Sequence, residues 1–465
     1  MARRGEEEDD DEYAKLVRRM NPPRVVIDND SCENATVIRV DRVKKHGILL
    51  EAVQVLVDLD LVITKAYISS DGNWFMDVFN VTDQYGNKLE NMETIEHIQR
   101  CLESEDCSVP SAVGPDDGVS PSADQSTCIE LTGTDRPGLL SEVCAVLASL
   151  RCSIVKAEVW THDRRAAAVV QITDEATGLA IGDRARLSKV QELLSNVMQG
   201  DGKGARSGVA KNCDPAAPSV GGAAHAERRL HKLLLDDDAG AGAAAGQEAV
   251  GGGEERSGRV KARAKAKVVV MDCTERRYTV VILRCGDRPK LLFDTLCALT
   301  DLQYVVFHGT VDAEGSDEAY QEYYIRHVDG HPVRSDAERI RLVRCLEAAV
   351  ERRASHGLEL EVRTEDRAGL LSEITRVFRE NSLSIVSAAI STRDGVAEDT
   401  FCVSDAYGNP VDGAAVDAVR EQVGRAVLRV KRAAIKRADE GSAVSILGSL
   451  LKGSFQGLRL VRSYS

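Results

Sequence analysis

Residues 134–142 read TDRPGLLSE, and three further stretches of the chain repeat that wording: VKKHGILLE at 43–51, GDRPKLLFD at 286–294 and EDRAGLLSE at 365–373. The fifth residue of each stretch, Gly47, Gly138, Lys290 and Gly369, serves as a common anchor. Nineteen residues further on stands a small residue every time: Ala66, Ala157, Gly309 and Ala388. An Asp closing an apolar alternation follows at 36 residues in copies one, two and four (Asp83, Asp174, Asp405) and at 39 in copy three (Asp329). Spacing held over four copies marks an internal repeat, which decides the architecture before any single element is considered.

Each copy carries the same local pattern. An apolar-polar alternation precedes the signature, as in 35–40 or 358–362, and has the two-residue period of a strand. Behind the signature Leu139, Leu140, Val143, Val146, Leu147 and Leu150 fall on one helical face. Two more strand-like stretches follow, 153–161 and 165–173 in copy two, joined by the polar turn His162-Asp163-Arg164. A second helical stretch comes next, 187–197 or 337–349, and copy four adds a last strand at 427–431. The order β-α-β-β-α-β predicts an α+β fold of tandem ferredoxin-like modules, antiparallel sheets with the helices on one face. A mid-strand Ala or Gly at the nineteenth position lets a helix approach the sheet backbone closely.

The modules are expected at 25–107, 124–200, 268–355 and 356–436. An acidic N-terminal segment (1–24), a short linker (108–123), a Gly/Ala/Lys/Arg-rich flexible linker (201–267) and a C-terminal tail (437–465) account for the rest. Within the long linker, 225–238 (HAERRLHKLLLDDD) is able to form a short amphipathic helix. A lone small sheet leaves open edges, so edge-to-edge pairing is expected, one with two and three with four. The same edges would also serve pairing of the first two copies with the last two, or with another copy of the chain to give a homo-oligomer.

The chain has 465 residues and a formal charge of −14, from 60 basic against 74 acidic residues, which argues against a nucleic-acid partner. No apolar run approaches a membrane span, so no integral membrane association is expected. The 12 cysteines form no C-x-x-C pair, and Cys144, Cys297 and Cys345 stand among apolar residues as buried free thiols do. Neither a disulfide framework nor a metal site is expected, and the compartment reads as reducing and intracellular, the cytoplasm first. The basic stretch 256–267 offers the nucleus as the alternative address, against a solvated linker. The apolar and basic tail 442–465 is either disordered or a docking segment for a membrane surface or partner.

The repeated signature resembles the ACT domain, and the chain as a whole is similar to plant ACT-domain-repeat proteins. The resemblance runs through YAKLVRRMNPPRVVIDNDSCENATVIRV near the start, HAERRLHKLL, FDTLCALTDLQYVVFHGTVDAEG in copy three and the closing LVRSYS. It implies a regulatory protein without catalytic parts, needing no cofactor, that binds an amino-acid effector and reports amino-acid or nitrogen status to a partner enzyme or regulator. It places the effector at the loop between strand one and helix one, where a helix N-terminus favours a carboxylate. The residues so implied are Lys44 and Gly47 in copy one, and Asp135, Gly138 and Leu139 in copy two. Asp287 is the counterpart in copy three, with Asp366, Gly369 and Leu370 in copy four. Serine-binding ACT domains carry a histidine two residues before the polar position, where this chain has Arg42, Gly133, Cys285 and Thr364, so the ligand preference is altered.

Two alternatives stand beside that reading. Asp135 and Asp366 could simply cap the following helices, and the Gly and Pro of the loop could be ordinary turn residues; the protein would then be a ligand-free interaction scaffold. The enzymatic alternative is the bacterial uridylyltransferase, which also carries tandem ACT modules, but four repeats leave no room for its catalytic domains. The spacing of Gly133 and Gly138 fits a phosphate loop, yet Leu139 and Leu140 follow instead of Lys and Ser or Thr.

Overall fold

The computed structural model describes residues 24–43, 47–71, 74–103, 126–199, 208–213, 223–242, 266–273, 275–313, 318–353, 357–424 and 427–431. Copy one comprises β1 (Arg24–Asp28), β2 (Thr36–Val43), α1 (Ile48–Asp58), β3 (Val62–Asp71), β4 (Trp74–Thr82) and α2 (Met92–Glu103). Copy two comprises β5 (Thr127–Thr134), α3 (Leu139–Ser149), β6 (Cys152–His162), β7 (Arg165–Asp174), α4 (Arg184–Gln199) and β8 (Val209–Asn212). After α5 (Ala223–Gly242), copy three has β9 (Lys267–Cys273), β10 (Tyr278–Gly286), α6 (Leu291–Asp301), β11 (Tyr304–Asp312), β12 (Glu318–His327) and α7 (Asp336–Arg353). Copy four has β13 (Leu358–Glu365), α8 (Leu370–Glu380), β14 (Leu383–Arg393), β15 (Val396–Asp405), α9 (Gly413–Val423) and β16 (Leu428–Val430).

These elements form two compact units. In the first, copies one and three share an eight-stranded antiparallel sheet ordered β1-β2-β4-β3-β11-β12-β10-β9. In the second, copies two and four share one ordered β16-β13-β15-β14-β6-β7-β5-β8. The expected pairing of one with two and three with four is therefore wrong: β3 joins β11 and β6 joins β14, each module meeting its counterpart two copies away. At the first seam Gly309 opposes Ile68 and Val311 opposes Ala66. A Cβ on Gly309 would stand 3.0 Å from Ile68 Cδ1, so the glycine makes room for the isoleucine of the other module. At the second seam Ala388 opposes Val159 and Ala157 opposes Ile390. The small residue of the repeat thus accommodates a branched side chain across the seam.

Copies two and four follow β-α-β-β-α-β, whereas copies one and three do not. In those two the outer strand beside strand one comes from the residues just before it: β1 pairs with β2, and β9 with β10. Val-rich stretches immediately upstream (RVVID and KVVVMDC) close local hairpins and take the edge that a returning last strand would fill.

The reading of 201–267 as a flexible linker is corrected over its described parts. Val209–Asn212 is β8, the edge strand beside β5. Helix α5 packs on α1 and α6, burying Leu230, His231, Leu234 and Leu235 at one-face spacing. The expectation of free cysteines also fails at one pair: Cys128 and Cys213 form a disulfide beside that strand pairing. The first 23 residues, the linker 108–123, nearly all of 256–267 and the tail 437–465 lie outside the described residues.

One apolar core fills each unit between sheet and helices. In α3 Leu139, Leu140, Val143 and Leu147 of the expected stripe are buried, with Ser141 and Cys144 beside them, while Val146 and Leu150 pack half-buried against the same core. Across the sheet the alternating Ile129 and Leu131 of β5 face them. Each fully buried Leu, Val or Ile contributes on the order of 1.5–3 kcal/mol, which is what holds these short helices in place.

Candidate functional site

The strand-to-helix loop of copy two is a tight turn dictated by Arg136-Pro137-Gly138-Leu139. Proline presets the second position and Gly138 supplies φ 85°, ψ 1° at the third. Leu139 N donates to Arg136 O at 3.1 Å, closing the turn. Gly138 rather than Asp135 is the residue at the helix N-terminus, and among the described residues no side chain caps it. The same holds at Gly47, Lys290 and Gly369, so the capping role weighed for Asp135 and Asp366 is not what the loop uses. Instead an arginine two residues before the anchor pairs with an acid four after it: Arg136 with Glu142, Arg288 with Asp294 and Arg367 with Glu373. That ion pair staples the loop to the first helical turn. The Asp at the far end of the repeat is also structural: Asp83, Asp174 and Asp405 accept backbone N–H bonds within their own turns.

Relieved of capping, Asp135 lines a cavity of about 40 Å³. Its walls are apolar, with Leu131, Val159, Ala166, Ala168 and Val170 from the sheet of copy two. Arg136, Gly138, Leu139 and Ser141 close the loop side, and Thr375, Arg379, Leu383 and Ile385 of copy four close the other. Burial pushes the Asp135 carboxyl up to about 6, against the pull of the Arg136 backbone N–H and guanidinium. Arg379 overhangs the turn, its Cδ 2.5 Å from where a Gly138 Cβ would be. One carboxyl-bearing side chain (Asp135), two arginines (Arg136 and Arg379) and three hydroxyl-bearing side chains (Ser141, Thr161 and Thr375) therefore line one small, largely apolar cavity spanning the two modules.

The remaining candidates are placed differently. Asp366 and Gly369 are exposed, with Asp366 accepting from Thr392 Oγ1 at 3.3 Å, and among the described residues nothing comes within 4 Å of a Cβ on Gly369. Leu370 is buried as the first core residue of α8. Asp287 stands just before the turn that contains Pro289 and Lys290, and Lys290 Nζ pairs with Glu227 at 2.9 Å. Gly47 has a left-handed φ of 84°, while Lys44 lies outside the described residues. Copy four's contribution to the copy-two cavity escaped the sequence reading because it depends on which modules pair. A signal existed nonetheless: ten residues after the anchor the four copies carry Val57, Ala148, Thr300 and Arg379, and only the last is a cation.

Comparison with known proteins bears on the whole chain. The model of the ACR family N-terminal ACT domain matches residues 31–109, and the ACT domain model matches 129–197 and 359–421. ACT domain-containing protein ACR4 of Arabidopsis thaliana is 51% identical over 98% of this chain and 98% of its own length. ACT domain-containing protein ACR6 of the same plant is 54% identical over 91% of this chain and 92% of its own. A bifunctional uridylyltransferase/uridylyl-removing enzyme of Bradyrhizobium diazoefficiens is 39% identical over 79 residues, which is 17% of this chain and 8% of that enzyme. With end-to-end identity near one half, and four antiparallel α+β modules to match it, the chain belongs to the ACR family of ACT domain-containing proteins.

Proposed function

We propose that this chain is a non-catalytic regulator that binds an amino acid in the cavity between copies two and four and relays amino-acid or nitrogen status to a separate protein. The observation that carries the reading is the presence of Asp135 and Arg379 on one apolar cavity. An α-amino group suits the partly buried carboxylate, and an α-carboxylate suits the guanidinium beside the helix N-terminus. The apolar walls and the size of about 40 Å³ favour a small side chain. A ligand held by both modules favours their joined arrangement only by its differential affinity for it, and that difference is the signal passed on.

Thermal-shift measurement on the full chain with each of the twenty amino acids tests the reading. A ligand at a hundredfold excess over its Kd stabilises by about 2.7 kcal/mol. A rise with one or a few small amino acids supports it. No rise with any of them at millimolar concentration leaves the ligand-free scaffold as the better reading.

A further inference from the structure

Copy three departs from the repeat at one position: Lys290 stands where the other copies have glycine. Its backbone keeps the left-handed conformation, φ 63° and ψ 14°, which costs a side-chain-bearing residue on the order of 1 kcal/mol. The lysine side chain explains its presence. Lys290 Nζ lies 2.9 Å from Glu227 Oε1 on α5, and Arg353 Nη1 of α7 donates to the same oxygen at 2.8 Å. Glu227 is nearly inaccessible, and although burial opposes it, Arg353 and Lys290 hold its carboxyl below the usual range.

The surroundings fix that contact. Asp294, fully buried, orients Arg353 at 2.9 Å and Arg288 at 2.7 Å and meets His231 Nε2 at 2.8 Å. Arg352 donates to the backbone oxygen of His231 at 3.2 Å, and the His231 ring meets Phe293 edge to face at 6.4 Å. Leu230, Leu234 and Leu235 seat the helix in the core. At this corner three cations (Arg288, Lys290 and Arg353) pair with two carboxylates, Asp294 and Glu227, the second of which α5 brings in. At the matching loop of copy two, the position of Lys290 is Gly138, with a cavity behind it.

We infer that the first loop of copy three is a carboxylate-binding site, formed by Lys290 and Arg353, which the chain fills with its own Glu227. Helix α5 is then a tethered ligand, and copy three is closed to free carboxylates while copy two is open. The assignment does not depend on what copy two binds.

Chemical rescue tests it on the full-length chain. Glu227→Ala removes the carboxylate and leaves room for a small anion. The variant should melt several degrees below the parent chain, and sodium acetate should restore the midpoint saturably. Sodium chloride at equal ionic strength and acetamide should not, and the parent chain should not respond to acetate. If the variant folds poorly, recovery of the folded signal on adding acetate is the same readout. In Glu227→Ala/Lys290→Met the acetate effect should fall at least tenfold in apparent affinity. A Glu227→Ala chain indifferent to acetate, whether folded or unfolded, overturns the assignment, as does rescue that survives Lys290→Met unchanged.

Discussion

Arg379 of one module lies across Gly138 of another, with its Cδ 2.5 Å from the point a Cβ on that glycine would occupy. Any side chain at 138 therefore displaces Arg379 and fills the mouth of the cavity. Gly138→Trp should lose the amino-acid-induced rise in melting temperature. It should also lose about 1–2 kcal/mol of stability, because φ 85° is strained for any other residue. Gly369→Trp meets none of the described residues and should leave the rise intact. A full rise in Gly138→Trp would move the effector site elsewhere.

Arg379 is exposed, so its removal should separate binding from folding. Arg379→Ala is expected to change stability by no more than about 0.5 kcal/mol, as surface substitutions do. It should weaken the effector by about tenfold or more, the loss of one charge-assisted hydrogen bond of about 1.5–3 kcal/mol. Isothermal titration reads both the affinity and the stoichiometry. An unchanged affinity would remove Arg379 from the site.

How far the sequence carries is plain from these two residues. Gly138 announces itself, because Arg-Pro-Gly-Leu spells a turn that needs a left-handed third residue, and the local period of 3.6 or 2 reports burial in each element. Arg379 does not, since its role arises only when copy four lies beside copy two, and module pairing is decided by seam contacts between residues about 240 positions apart, such as Ile68 and Gly309. The edge strands failed for a similar reason. Val25 and Val268 belong to stretches that can pair on either side of a module, and only the closed hairpins with β2 and β10 show which. Lys290 was visible as a departure from the repeat, but its partner Glu227 lies 63 residues upstream in a segment whose composition reads as linker.

Effector binding should depend on pH through Asp135. Burial raises its carboxyl from 3.8 to about 6 in the folded chain. The folded state thus holds this proton more tightly than the unfolded one. The stability it contributes is present below about pH 4 and is lost as pH rises to about 6. A ligand ammonium needs the ionised form. Affinity should be full at about pH 7 and fall roughly tenfold by about pH 5, where a tenth of the group is ionised. Asp135→Asn should flatten that profile; a wild-type profile that is already flat between those values would take Asp135 out of contact with the ligand.

The seam of the first unit is tight at Gly309. Gly309→Val places a branched side chain where Ile68 Cδ1 and Tyr323 Cδ1 already stand 3.0 Å from the Cβ position. Overpacking of this kind costs about 1–3 kcal/mol. Ile68→Ala should recover part of the loss, giving a favourable coupling in a double-mutant cycle read by denaturant unfolding. Strict additivity would mean that the two side chains do not compete for the same space.

The Cys128–Cys213 disulfide spans 85 residues of sequence and ties the end of β8 to the start of β5. Beside it Cys213 N donates to Cys128 O at 3.1 Å, so the bond continues a ladder already formed by the two strands. Cys144 of the same unit is a buried thiol by contrast, and burial pushes it up to about 12. Strand β8 is only four residues long and stands at the edge of the sheet among the described residues. Its ladder alone is therefore a weak hold, and closing a loop of this length in the unfolded chain accounts for about 2–4 kcal/mol of stabilisation. Cys213→Ser, or dithiothreitol on the parent chain, should lower the melting of the second unit while that of the first is unchanged. Amide exchange at 209–212 should accelerate well before that of β5 and β7, since the edge strand opens without the core. Equal exchange at 209–212 with and without dithiothreitol would show that strand pairing alone holds β8 in place.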